Sequence, residues 1–280
     1  MLLLCVSWGF NQVAVKLALT DIPPLTQAAL RSLGALIVVL IGVRLRGVPI
    51  FRRDGTLVAG IVLGVLFALE FVMINTGLTL TTATRAVVFL YTAPFFVALG
   101  ATTLLGERLS LRQWTGMALS FAGVVAAIGI PQADVDARVL LGDLLLIGGA
   151  MFWGGTTLVF KATRLSKAPA EKAMAYQLAV SAPLLGLFAL LAGEKMTRLP
   201  GAVALASFAY QTIWVVGCTF LIWYVLMKRY PASKLSAFTV VTPLFGVAAG
   251  SIVLHEPISA GFAVAIVFVV AGLVLVNQRG

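Results

Sequence analysis

Glu70 is a carboxylate in the middle of an apolar run, set among Phe67, Leu69 and Phe71 with no cation within a turn of its own segment. An acid held in hydrocarbon is costly, and by default it marks a site for a solute or a coupling proton. Its other use is structural, as a hydrogen-bonded partner across helices. Polar and aromatic residues recur at helical spacing elsewhere. Trp8, Asn11 and Gln12 fall within one turn, and Trp153, Thr156 and Thr157 do so 145 positions later. Residues three and four apart share a helix face, so each group offers an aromatic plate beside polar handles. Tyr91 and the face made by Tyr210, Gln211 and Trp214 look similar. A mostly apolar pocket with a few placed polar groups suits a small amphipathic solute. Anchoring at a membrane interface is the competing use of Trp and Tyr.

Pro94 and Pro243 lie inside apolar stretches at matching distances from other repeated residues. A mid-helix proline withholds one backbone donor and pushes on the carbonyl four residues earlier, here Leu90 and Thr239. Both are expected to kink their spans beside a cavity and to act as hinges. Lys16, Arg31 and Lys161 lie near span ends and are expected to carry their charges to the interface. Glu107-Arg108 and His255-Glu256-Pro257 are expected to cap or turn the chain. Cys5 and Cys218 form no disulfide or metal pattern. With one histidine, no phosphate-binding glycine loop and no nucleophile constellation, neither catalysis, a metal nor a cofactor is expected.

The elements that must hold these residues are membrane helices. The chain is 61% hydrophobic and 11% charged, far from the charge of an ordinary soluble domain. Ten apolar stretches cover about 2–20, 25–45, 57–79, 84–104, 111–130, 139–163, 171–193, 204–227, 235–254 and 258–277, each near the ~20 residues that a bilayer span requires. The first lacks a basic leader and is read as a retained span. Fourteen Lys and Arg fall in the loops after stretches 2, 4, 6 and 8 or at the C-terminus, against four (Arg85, Arg138, Lys195, Arg198) in the opposite loops. This asymmetry sets both termini in the cytoplasm of a plasma (inner) membrane protein, and it makes the net charge of +10 a topology signal rather than a nucleic-acid site.

The chain also repeats itself. Trp8-Gly9 with Lys16 returns as Trp153-Gly154 with Lys161, and Ala83-Thr84-Arg85, Pro94 and Glu107 return as Ala232-Ser233-Lys234, Pro243 and Glu256. Residues 1–130 and 139–280 are read as two five-helix repeats joined by a 131–138 linker. An odd number of spans forces the second copy to enter the bilayer inverted, the plan of secondary transporters. The expected fold is all-α and polytopic, with ten spans around a central cavity.

On Trp8-Gly9, Asn11, Lys16, Arg31, Ala83-Thr84-Arg85, Pro94, Gly106-Glu107 and their echoes, the whole chain resembles the drug/metabolite transporter superfamily in its EamA branch. Within that branch it is most similar to YddG-type exporters of aromatic and other neutral amino acids. The resemblance implies a basket in which spans 1, 3, 4, 6, 8 and 9 surround the cavity and spans 5 and 10 lie outside. It also implies a small-molecule solute, surrounding membrane lipid and export by alternating access. In such an exporter Glu70 is expected to bind the solute's ammonium group or a coupling proton, while Trp8, Tyr91, Trp153 and Trp214 embrace its side chain. Efflux of cationic or lipophilic drugs is the alternative substrate class, and a non-transporting scaffold or intramembrane enzyme the alternative of another kind. A monomer suffices for this plan, and the residues leave the oligomeric state open.

Overall fold

A computed structural model describes residues 1–81, 83–128, 136–255 and 261–277. Most of the expected linker, together with Glu256 and Pro257, lies outside the described residues. Among those described there is no strand, because in hydrocarbon a helix satisfies every backbone group within its own segment. The helices are α1 (Leu2–Ala18), α2 (Pro24–Arg46), α3 (Leu57–Leu78), α4 (Ala83–Leu90), α5 (Ala93–Leu104), α6 (Leu111–Ile128) and α7 (Ala137–Ala162). They continue with α8 (Ala170–Leu191), α9 (Ala202–Ala209), a π-helix (Tyr210–Thr219), α10 (Phe220–Arg229), α11 (Ala232–Phe238), α12 (Thr242–Leu254) and α13 (Gly261–Asn277). Six helical stretches are long and apolar enough to cross a membrane, and three shorter apolar helices accompany them among the described residues.

The chain divides into two compact units, and each draws on both halves of the sequence. The first comprises Met1–Phe10, Met73–Leu158 and Tyr230–Gly280. Here α6 and α13 run antiparallel in close contact. Gln113 Nε2 donates to the Val276 carbonyl at 3.2 Å and Ser120 Oγ to the Val269 carbonyl at 3.3 Å. Gly116 and Gly272 allow this approach, since a Cβ on Gly116 would sit 2.6 Å from the Gly272 carbonyl oxygen. Small residues at a helix contact are what lets two backbones come together in lipid. In the same unit α5 and α11 also run antiparallel, with Ala101 packed against Ala232 and Ala98 against Ala237.

Glu107 caps α11, as its place in the repeat suggested. Its carboxylate accepts from the backbone N–H of Ala232 (2.8 Å) and Ser233 (3.2 Å) and from the Ser233 hydroxyl (2.5 Å). It satisfies orphan donors at a helix start, where negative charge is also favoured. Glu107→Ala should destabilise the protein by about 1–2 kcal/mol, the usual cost of a lost cap. Glu107→Gln should recover part of that loss, because the amide oxygen still accepts. Thermal melting in detergent reads both, and equal melting of all three proteins would contradict the capping role.

At the two prolines the spans break rather than bend. α4 ends at Leu90, and α5 restarts at Ala93 with Pro94 in its first turn. α11 ends at Phe238, a 3₁₀ turn covers Thr239–Val241, and α12 restarts at Thr242 with Pro243 in its first turn. A proline in that position loses nothing, because its missing N–H would have had no partner there. At the first break the Phe89 carbonyl accepts from the backbone N–H of Thr92 (3.2 Å) and from its hydroxyl (2.6 Å). At the second, Cys5 Sγ donates to the Phe238 carbonyl at 3.4 Å.

The second unit comprises Asn11–Val72 and Val159–Arg229. Its spine is the antiparallel pair α2 and α8, fastened at both ends. At one end Glu194 accepts from the backbone N–H of Leu25 (3.0 Å) and Thr26 (2.7 Å) and from the Thr26 hydroxyl (2.8 Å). At the other, Arg46 pairs with Glu171, and buried Lys172 donates to the Arg52 carbonyl (2.5 Å) and to Asp54 (2.8 Å). The Lys172 ammonium, helped by Thr56, holds the Asp54 carboxyl down to about 2. At the Glu194 end the Gly201 N–H and the Arg198 guanidinium hold the Asp21 carboxyl below its usual range. α3 lies parallel to α8, with Gly60 against Tyr176 and Gly64 against Val180.

Candidate functional site

The sequence-predicted residues fall into two groups, one in each unit. In the first unit Trp8 and Trp153 are half-buried, and Tyr91, Thr157, Pro94 and Pro243 are buried. Tyr91 meets Trp153 edge to face, with ring centroids 5.8 Å apart. The glycine after each repeated tryptophan has a packing reason. A Cβ on Gly9 would lie 2.5 Å from the Phe245 Cβ of α12, and one on Gly154 would lie 3.2 Å from the Phe96 Cβ of α5. Trp-Gly therefore marks a point where a helix backbone touches its neighbour.

The second unit holds Asn11, Gln12, Glu70, Gln211 and Trp214. Gln12 and Trp214 are exposed, Asn11 is half-buried, and Glu70 and Gln211 are buried. Around the last two the structure gathers a polar interior that is unusual for a membrane helix bundle. Arg31 on α2 is only 5% exposed, and its guanidinium lies 4.5 Å from the centroid of the Phe71 ring on α3. This corrects the sequence expectation. Arg31 begins about 10 Å inside the end of α2, within reach of an interface, yet it turns inward across an aromatic face, an arrangement guanidinium favours. It comes within electrostatic range of Glu70 on the same α3 turn. Among the described residues the two make no direct ion pair, and Nε and Nη2 of Arg31 have no hydrogen-bond partner.

Lys161 and Lys16 also bear on the interface expectation. The Lys161 ammonium donates to the Met227 carbonyl at the end of α10 (2.8 Å), so it closes a helix terminus. Lys16 is exposed, as expected.

Apart from Gln211, the members of this interior described next were not singled out from the sequence. Gln27 lies one turn before Arg31 on the same face of α2, and Ser32 follows it; both are buried. Gln177 on α8 accepts from the Tyr224 hydroxyl of α10. Thr212 is buried on the π-helix, with its methyl group close against Gly34 of α2. Gln211 is fully buried and donates through Nε2 to the Ala14 carbonyl of α1 at 3.2 Å. The signal for α2 was present as Gln27 and Arg31 at i and i+4, one stripe of a helix. The π-helix carries no comparable signal. Its i→i+5 bonding widens the backbone over ten residues and sets Gln211 and Thr212 inward, and such segments cluster at functional sites.

This interior can bind polar groups of both signs. A guanidinium and a carboxylate are held apart in a place from which lipid and bulk water are kept, among amides and hydroxyls whose hydrogen-bonding capacity is unspent. No group of three or more His, Cys, Asp or Glu side chains with metal-binding geometry occurs among the described residues.

A solved crystal structure superposes with a TM-score of 0.85 at 21% identity, covering 98% of this chain and 93% of its own, which speaks to the fold. The uncharacterized transporter YvbV of Bacillus subtilis (strain 168) is 27% identical, over 99% of this chain and 90% of its own length. The probable amino-acid metabolite efflux pump of Escherichia coli (strain K12) is 27% identical, over 97% of this chain and 91% of its own. The EamA-like transporter family matches residues 1–129 and again residues 140–278. With both matches together spanning nearly the whole chain, and with helices that suit a multi-pass membrane protein, this protein belongs to the EamA-like transporter family.

Proposed function

We propose that the protein is an inner-membrane secondary transporter that exports amino acids, aromatic and other neutral ones, or similar small metabolites. The observation that carries this reading is the burial of Arg31 and Glu70 in the second unit without a direct ion pair between them, with two Arg31 nitrogens left without a partner. Two charges kept apart inside a bundle are poor stabilisers, and intramembrane ionisable groups mark solute and ion pathways. Relatives named as amino-acid metabolite efflux pumps in Escherichia coli and Salmonella typhimurium support the substrate class.

Alternating access between two inverted five-helix repeats is the mechanism we infer. Its support is directional. The helices that occupy matching places in the repeats, α2 with α8 and α6 with α13, each run antiparallel within their unit. The basic residues Arg46, Lys161, Lys172 and Lys228 gather at one end of the second unit, which we assign to the cytoplasm with both termini. The breaks at Pro94 and Pro243 serve as hinges, and Glu70 is available to a coupling proton. The alternative, efflux of lipophilic cations, is weakened by the cation already placed beside Glu70.

Purified protein in proteoliposomes should take up labelled phenylalanine, threonine or methionine by counterflow well above protein-free vesicles. If none of the twenty amino acids moves or competes, the amino-acid assignment fails.

A further inference from the structure

The second unit holds enclosed donors and acceptors without partners, besides the hydroxyls of Ser32 and Thr212, which can serve as either. On one stripe of α2, Nε2 of Gln27 and both Nε and Nη2 of Arg31 are enclosed donors with no partner. The acceptors are Oε1 of fully buried Gln211 on the π-helix and Oδ1 of Asn11 on α1, also enclosed and without a partner. The buried Glu70 carboxylate lies on α3, next in sequence to the Phe71 ring that carries Arg31, and makes no direct ion pair among the described residues. These groups share one neighbourhood. Thr212 packs on Gly34, one turn from Arg31, and Gln211 donates to the Ala14 carbonyl, one turn from Asn11.

A buried polar atom left unpaired costs about 1–3 kcal/mol, and native structures keep few of them. Here several occur in one unit, and the donors of α2 lie on one stripe with the Arg31 guanidinium, whose aromatic support Phe71 adjoins Glu70 in sequence. A ligand that satisfies both charges carries an anionic acceptor for the guanidinium and a cationic donor for the carboxylate. We propose that this interior is a zwitterion clamp: Arg31 with Gln27 takes the α-carboxylate of an amino acid, and Glu70 takes its α-ammonium. The Phe71 ring beneath Arg31 fixes the plane of the guanidinium, so that its fork can meet a carboxylate through two hydrogen bonds. The proposal rests on the amino-acid export reading and sharpens it. The invariant part of the solute is recognised, and side chains of varied size are tolerated.

A site built to hydrogen-bond both ends rejects an analogue that lacks either, because the partner groups then stay buried and unpaired. The test uses the whole protein in detergent and competition against labelled phenylalanine. On wild type, phenylalaninamide, which lacks the carboxylate, and 3-phenylpropionate, which lacks the ammonium, should each compete at least about tenfold more weakly than phenylalanine. Arg31→Gln should erase the preference over phenylalaninamide while keeping the preference over 3-phenylpropionate. Glu70→Gln should do the reverse, and Arg31→Lys should restore part of the first preference. Each readout is a ratio within one protein, so a loss of folded material does not mimic it. Equal competition by all three ligands on wild type would overturn the clamp even if the variants fail to fold. Transport of phenylalanine with both preferences intact in Arg31→Gln and Glu70→Gln would overturn the clamp and leave export standing. Absence of any amino-acid binding or transport by wild type would overturn both.

Discussion

The double variant Arg31→Met/Glu70→Leu should melt at a higher temperature than the wild-type protein and transport no amino acid. Both side chains are almost fully buried, they make no direct ion pair, and two nitrogens of Arg31 have no hydrogen-bond partner to offset what they lose on leaving water. Replacing buried charges by apolar groups of similar volume is commonly neutral or stabilising by about 1–4 kcal/mol. In a chain of this size each kcal/mol moves the melting temperature by about 2–4 °C. The single variant Arg31→Met should gain less, because it leaves Glu70 in the interior without its nearby cation. A stability gain joined to a loss of activity is the mark of residues kept for function. If the double variant melts several degrees lower than wild type, Arg31 and Glu70 are structural and the site must be sought elsewhere.

Gly272→Val should have the largest destabilising effect of any single change at a helix contact. A Cβ at Gly272 would run into the Gly116 carbonyl and Ser120 Oγ, and would come within 2.6 Å of the Ser120 backbone nitrogen. Backbone cannot step aside as a flexible side chain can, so α6 and α13 must separate. They would forfeit the Gln113 and Ser120 hydrogen bonds to the opposite helix as well. Overpacking costs about 1–3 kcal/mol, occasionally more, and this case belongs at the upper end. Gly42→Ala on α2 is the control, since nothing lies within 4 Å of its Cβ position. It should be neutral or stabilising by up to about 1 kcal/mol through helix propensity. Fluorescence-detected size exclusion after a heating series separates the two, and equal survival would contradict the α6–α13 contact.

How far these features were legible in the sequence depended on how local their causes are. Glu70 was conspicuous because a lone carboxylate in an apolar run is anomalous in any fold. The cap by Glu107 was legible from the repeat, since its spacing from Pro94 and its echo pointed to a turn. The breaks at Pro94 and Pro243 were anticipated as kinks. Whether a proline bends a helix or begins a new one depends on how its neighbours turn, and the residue alone does not decide that. Arg31 was misplaced for a tertiary reason: its distance from the helix end allows an interface, and only the Phe71 ring on another helix makes the interior preferable. Lys172, counted among the loop charges, is enclosed by a carbonyl and a carboxylate of the connection between α2 and α3, which local sequence does not reveal. The π-helix was invisible because a 3.6-residue period was assumed throughout, and the wider register comes from packing.

The fastenings at both ends of α2 and α8 bear on how the protein meets bilayers of different thickness. Glu194 fixes one end of the pair and the Arg46–Glu171 and Lys172–Asp54 contacts fix the other. The two helices therefore cannot slide past each other to lengthen or shorten their shared apolar band. A mismatch with lipid must be absorbed by tilting the pair as one body or by deforming the surrounding leaflets. Acyl-chain length then becomes a mechanical input to this unit, acting through orientation rather than through helix register.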